Sequence, residues 1–72
     1  MKRIEINPEI LNGKPVIKGT RIPVYLILDL LSEGYSVEEI IKFYPDLKRE
    51  DVLECIKFAS SIIERQEVYD IN

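Results

Sequence analysis

A chain of 72 residues and 8.4 kDa can build only one small core, which excludes a multi-domain enzyme. With 46% hydrophobic and 32% charged residues it is too apolar for a disordered segment and ordinary for a folded soluble domain. Ten basic against thirteen acidic residues leave a formal charge of −3, which argues against non-specific nucleic-acid binding by the chain taken whole.

The residue inventory narrows the chemistry. There is no His, no Trp and a single Cys, so histidine-dependent acid–base catalysis, cysteine-rich zinc sites and internal disulfides are excluded, and neither cofactor nor metal is expected. The lone Cys55 suits a reducing cytosol. Glu5, Asn7 and Glu9 interrupt the apolar stretch that a signal peptide beginning at Met1-Lys2-Arg3 would need. Val24 to Leu28, the longest apolar run, is too short to span a bilayer. The expectation is a cytoplasmic protein without membrane association. A domain near this size buries only about 60% of its unfolded surface, so its stability gains from a second subunit or a partner.

Charge and backbone character divide the chain at the same place. Residues 1–23 hold five cations against two carboxylates, a net +3, while residues 24–72 hold five against eleven, a net −6. Pro8, Gly13, Pro15, Gly19 and Pro23 punctuate the first part, and only Gly34 and Pro45 the second. The organisation read from this is a single domain over 1–72: a basic β-arm over 1–23, a helical body over 24–66 and a tail over 67–72.

In the arm, Arg3-Ile4-Glu5-Ile6 alternates with period two and predicts a short strand ended by the Asn7-Pro8 turn signal. Asn12-Gly13 marks a second turn, Pro15-Val16-Ile17-Lys18 is the next strand, and Gly19-Thr20 turns the chain before Arg21-Ile22-Pro23. Strands this short must pack on the helices or pair with another chain, which makes Val16 and Ile17 candidate interface residues.

The helical body is predicted to begin after Pro23, a residue suited to a helix start because its fixed φ is helical and its missing donor costs nothing there. Val24, Ile27, Leu28 and Leu31 follow helical spacing, and Leu26 and Leu30 widen the apolar arc to roughly 200°. Such an arc fits a central helix touched from several sides, or one with a second apolar face, Leu26 and Leu30, reserved for a partner. Gly34 closes this helix. Ser36-Val37-Glu38-Glu39 is a capping box, so Glu38 and Glu39 are read as first-turn carboxylates favoured by the helix dipole and not as an acid–base pair. The second helix buries Val37, Ile40, Ile41 and Tyr44 and stops at Pro45. A third runs from about Arg49 to Arg65, with Val52, Ile56, Ala59 and Ile63 as its main inward stripe and Cys55, Phe58 and Ile62 alongside. Cys55 is read as a core or interface residue, since no His exists to activate it.

A capped short helix, a tight turn carrying Leu47 and a longer helix have the layout of a helix-turn-helix unit. The outward side of the would-be recognition helix collects Glu50, Glu54, Lys57, Ser61, Glu64 and Arg65, and its three carboxylates oppose a duplex carrying one charge per ~1.7 Å. If DNA is bound, Lys14, Lys18, Arg21, Lys48 and Arg49 are the candidates for phosphate contacts.

The arm carries a recognisable signature: Asn7-Pro8-Glu9-Ile10, then Gly13-Lys14-Pro15-Val16-Ile17-Lys18-Gly19-Thr20-Arg21-Ile22-Pro23-Val24, continued by Leu28, Leu31, Gly34, Ser36, Glu39, Ile40, Tyr44-Pro45, Leu47 and Asp51-Val52. Over residues 4 to about 60 it resembles the family catalogued as domain of unknown function 433. The resemblance implies a mainly α fold, a three-helix, homeodomain-like helix-turn-helix body with a short N-terminal β-arm. It also implies a non-enzymatic antitoxin-like regulator that binds and silences a PIN-like ribonuclease toxin, forms a homodimer and represses its own operon by binding DNA. The family's usual small hydroxyl residue before the third helix is Lys48 here, which weakens the expected cap.

Gly13-Lys14 is not a phosphate-binding loop, because Pro15 stands where a magnesium-coordinating Ser or Thr is needed. In Gly19-Thr20-Arg21, Gly19 permits a sharp bend, Thr20 bonds the local backbone, and Arg21 offers a fork of donors. Two readings of Arg21 stand side by side: a tie to Asp29, Glu33 or Asp51 of the body, or a direct phosphate contact. The candidate partner surface comprises Val16, Ile17, Leu26, Leu30, Phe58, Ile62 and Tyr69, with Val68 and Ile71 beside Tyr69 in the tail. A dimerisation or adaptor module that never touches DNA is the alternative function.

Overall fold

In the computed structural model, which describes residues 2–65, the arm lies folded against the helices. Strand β1 (Ile4–Glu5) pairs antiparallel with β2 (Val16–Ile17), Ile4 opposite Ile17 and Glu5 opposite Val16. The predicted strands are present in shortened form. Between them, Asn7 Oδ1 accepts the Glu9 amide at 2.9 Å, and Leu11, Asn12 and Gly13 turn through left-handed conformations with φ of 48°, 57° and 82°. Glycine takes such a conformation freely and Asn tolerates it, whereas Leu11 is held there at a steric cost.

Thr20 closes the next turn. Its hydroxyl donates to the Ile17 carbonyl at 2.7 Å and accepts the Ile22 amide at 3.0 Å, while Gly19 supplies the positive φ of 82°. The Ile17 amide then donates to Ile22 O and the Val24 amide to Pro15 O, both at 2.9 Å, so the first free amide of the next helix is satisfied by the arm.

Three helices follow, α1 (Val24–Ser32), α2 (Val37–Phe43) and α3 (Arg49–Glu64). Pro23 precedes α1 with ψ 148°, kept extended by its pairing with Val16, and the helix begins after it, at Val24, as the sequence predicts. Gly34, at φ 98°, ends α1 in a Schellman arrangement: its amide donates to Leu31 O and that of Tyr35 to Leu30 O. The capping box of α2 is present as expected, with the Glu39 amide donating to Ser36 Oγ at 3.1 Å and the Ser36 amide to Glu39 Oε1 at 2.8 Å.

One buried cluster joins every layer: Ile4 and Ile17 from the arm, Val24 and Ile27 from α1, Ile40 from α2, Leu47 from the turn, and Val52 and Cys55 from α3. The result is a mainly α fold, a three-helix body with a small two-stranded sheet, as the sequence predicts. Among the described residues no helix is long and apolar enough to cross a membrane.

Two expectations are corrected by burial. Val16 and Ile17, proposed for a partner, are 0% and 2% exposed within a single chain, because the two turns fold β2 back onto the helices. On α3 the inward stripe is Val52, Cys55, Phe58 and Ala59, whereas Ile56 and Ile63 are exposed. Leu53, Ile56, Ser60 and Ile63 form a neighbouring stripe at 3–4–3 spacing, and the packing of α3 on α1 and α2 decides between the two.

Candidate functional site

Asp51 connects arm to body. It is 7% exposed, accepts the Lys48 amide on Oδ2 at 2.9 Å and faces Arg3 Nη1 with Oδ1 at 3.1 Å. Lys48 cannot act as a side-chain acceptor for α3, and the carboxylate reaching back supplies half of a capping box in its place. One turn on, Glu54 Oε2 accepts the Arg3 amide at 2.6 Å. Arg3, not Arg21, therefore ties the arm to the body, and Arg21 is exposed with no ion pair among the described residues. Arg3 and Asp51 are 48 residues apart in sequence and meet only when the arm folds onto α3, so no local signal marks the contact.

The candidate cations do not gather into one patch. Lys18 lies beside Arg3, its amide donating to Arg3 O at 2.8 Å, and Arg21 occupies the adjoining turn. Lys14 is at the other end of β2, with Nζ 5.9 Å from the Tyr25 ring, next to Phe58, Ala59 and Ile62 in the second half of α3. Lys48 and Arg49 stand at the N-terminus of α3, about 15–20 Å from that point at 1.5 Å per helical residue. Arg49 is already engaged, Nη1 to Glu38 Oε2 at 2.8 Å, though both groups are exposed and the pair adds little stability.

The expected partner residues divide similarly. Leu30 and Phe58 are half-buried against the core, Leu26 is half-buried, and Ile62 is exposed. Tyr69, with Val68 and Ile71, lies outside the described residues. Sequence reasoning missed the exposure of Leu53, Ile56 and Ile63 on α3, whereas Tyr25 is exposed on the outward side of α1, where helical spacing places it. Phe43 is also exposed, edge-on to Tyr35 with ring centroids 5.2 Å apart. Tyr25 and Ile62 belong to an apolar groove of about 400 Å³ between the start of α1 and the last turns of α3. Leu53 and Ile56 are exposed on another side of α3, Leu53 in a separate shallow hollow with Arg3, Glu50, Glu54 and Lys57.

Cys55 offers no chemistry at neutral pH. Burial, reinforced by the Asp51 and Glu54 carboxylates, pushes its thiol from an ordinary 9.0 up to about 12, so the nucleophilic thiolate is suppressed.

Comparison with known proteins settles the family. The model for the protein of unknown function DUF433 matches residues 4–59, from β1 through most of α3. The chain belongs to the DUF433 family. A DUF433 member from Anabaena variabilis ATCC 29413, solved by crystallography, superposes with a TM-score of 0.80 at 28% identity, over 88% of this chain and 62% of that one. An uncharacterised protein, y4eO, of Sinorhizobium fredii (strain NBRC 101917 / NGR234) is 41% identical over 46 residues. Those cover 64% of this chain and 21% of y4eO, so the DUF433 unit spans about a fifth of that relative's length.

Proposed function

We propose that this DUF433 chain is an antitoxin-like regulator that binds and neutralises a PIN-like ribonuclease, acts as a homodimer in the cytoplasm without catalytic activity of its own, and contacts operator DNA through its arm cations. The observation that carries this reading is the stripe Leu53–Ile56–Ile63 on α3, apolar, exposed and flanked by Glu50 and Glu64. An exposed apolar row on a folded domain marks an interaction surface. Carboxylates beside it suit a basic partner surface, such as one that otherwise holds RNA phosphates.

A second reading has its own support. The separation of Lys14 from Lys48 and Arg49, and the engagement of Arg49 by Glu38, favour an adaptor or dimerisation module that does not bind DNA. Two titrations test the readings. Adding the chain to the ribonuclease encoded beside it abolishes RNA cleavage near equimolar ratio if it is an antitoxin; full activity at excess chain contradicts that reading. Binding to the chain's own upstream DNA that stays weak even at low salt assigns it to the adaptor class.

A further inference from the structure

We propose that the groove between α1 and α3 is the face on which two copies of this chain pair, antiparallel across a two-fold axis, with Lys14 of each copy against Asp29 of the other. The proposal deepens the homodimer of the functional reading and rests on it. The groove, about 400 Å³, is walled by Tyr25 and Leu28 of α1 and by Phe58, Ala59 and Ile62 of α3. Tyr25 and Ile62 are exposed in the single chain, so covering them removes apolar surface from water.

Charge along this face selects the occupant. At the end where α1 begins, Lys14 Nζ stands 5.9 Å from the centre of the Tyr25 ring, and Arg65 follows Ile62 by three residues on the same side of α3. One turn further along α1, about 6 Å, the sign reverses: Asp29 follows Tyr25 by four residues on the same stripe, and Glu33 caps the helix. Lys14, Asp29, Glu33 and Arg65 are all exposed, and none has an ion pair among the described residues. The face is therefore positive at one end and negative at the other, and it is complementary to itself turned end for end.

A two-fold axis crossing α1 between Tyr25 and Asp29 sets each Lys14 beside Asp29 of the partner subunit, while the apolar side chains of the two grooves meet between these pairs. Such a contact is isologous and closes at two copies. A partner carrying one sign of charge would match one end of the face and be repelled at the other. Leu53 and Ile56 do not line the groove, so pairing through it leaves them to the nuclease.

Sedimentation velocity of the full chain over a concentration series tests this, with Lys14→Glu and Asp29→Lys as variants. Both side chains are exposed, and thermal unfolding checks that the fold is kept. The wild type is expected to dimerise. Each variant alone sets like charges at both contacts and is expected to dissociate about tenfold more readily. In a mixture of the two variants, one contact joins the two substituted positions and the other the two native ones, opposite in charge in both cases. The mixture is therefore expected to dimerise within about threefold of the wild type. A wild-type dimer indifferent to both substitutions, or a mixture no tighter than either variant alone, overturns the proposal and leaves a homodimer through another face. A wild type that stays monomeric up to about 1 mM overturns the proposal and the homodimer of the functional reading together.

Discussion

Arg3 Nη1 stands 3.1 Å from Asp51 Oδ1 while Asp51 Oδ2 accepts the Lys48 amide at 2.9 Å, so one carboxylate at the start of α3 holds both the arm and the helix end. The two bonds differ in weight. The Arg3 side chain is 39% exposed and its attraction is screened, whereas the amide of Lys48 loses its acceptor entirely if Asp51 is truncated.

Asp51→Ala is therefore expected to cost about 1–3 kcal/mol and Arg3→Ala about 1 kcal/mol or less. Asp51→Asn, which keeps an acceptor for Lys48, falls between them. Urea midpoints at unchanged m value check the order, and equal costs for Asp51→Ala and Arg3→Ala contradict it.

Burial separates two residues that sequence reasoning placed together at an interface. Ile17→Ala leaves a cavity in the core and is expected to cost about 2–5 kcal/mol, a large part of the about 4–11 kcal/mol available to a domain of this length. Ile62→Ala, at an exposed site, is expected to cost about 1 kcal/mol or less. Similar costs for the two would contradict the placement of β2.

What was legible in the sequence is what local chemistry dictates. Ser36 with Glu39 and Gly34 begin or end a helix by bonds within a few residues, Pro45 stops one by its missing amide donor and its restriction of Tyr44, and the observed boundaries follow them closely. The face of α3 was not legible. Its apolar arc contains two adjacent stripes, through Val52 and Cys55 or through Leu53 and Ile56, and helical periodicity cannot choose between them without the helices they meet. Arg3 was overlooked for a related reason: the Gly-Thr-Arg motif drew attention to Arg21, while the contact of Arg3 with Asp51 exists only once the arm folds onto α3.

Cys55 makes stability depend on alkaline pH. The unfolded chain releases the thiol proton near 9 and the folded chain keeps it to about 12, so between those values the folded state binds more protons and stability falls as pH rises. The decline from this group is up to ~1.4 kcal/mol per pH unit, and below pH 9 its contribution is constant. Cys55→Ala removes this contribution. The stability advantage of the wild type over the variant should therefore shrink from pH 9 upward; parallel pH profiles contradict this.

For operator binding, each lost phosphate contact lowers the salt slope by about one. Lys18→Ala with Arg21→Ala should lower it by about two, since both side chains are exposed and without ion pairs among the described residues. Lys57→Ala, amid the carboxylates of α3, should leave it nearly unchanged. Fluorescence anisotropy on the chain's own upstream DNA over a salt series measures both, and a larger effect from Lys57 would move the contact from the arm to α3.

The central claim, that α3 presents its exposed apolar row to a partner nuclease, is tested most directly by inhibition with Leu53→Asp plus Ile56→Asp. Both side chains are exposed, so the fold is retained and thermal unfolding checks it. The account predicts that the wild type silences the neighbouring ribonuclease and that the double variant, with an unchanged unfolding midpoint, needs about tenfold more chain or worse, a loss of at least ~1.4 kcal/mol in binding. Equal inhibition by both proteins, or none by the wild type, would contradict it.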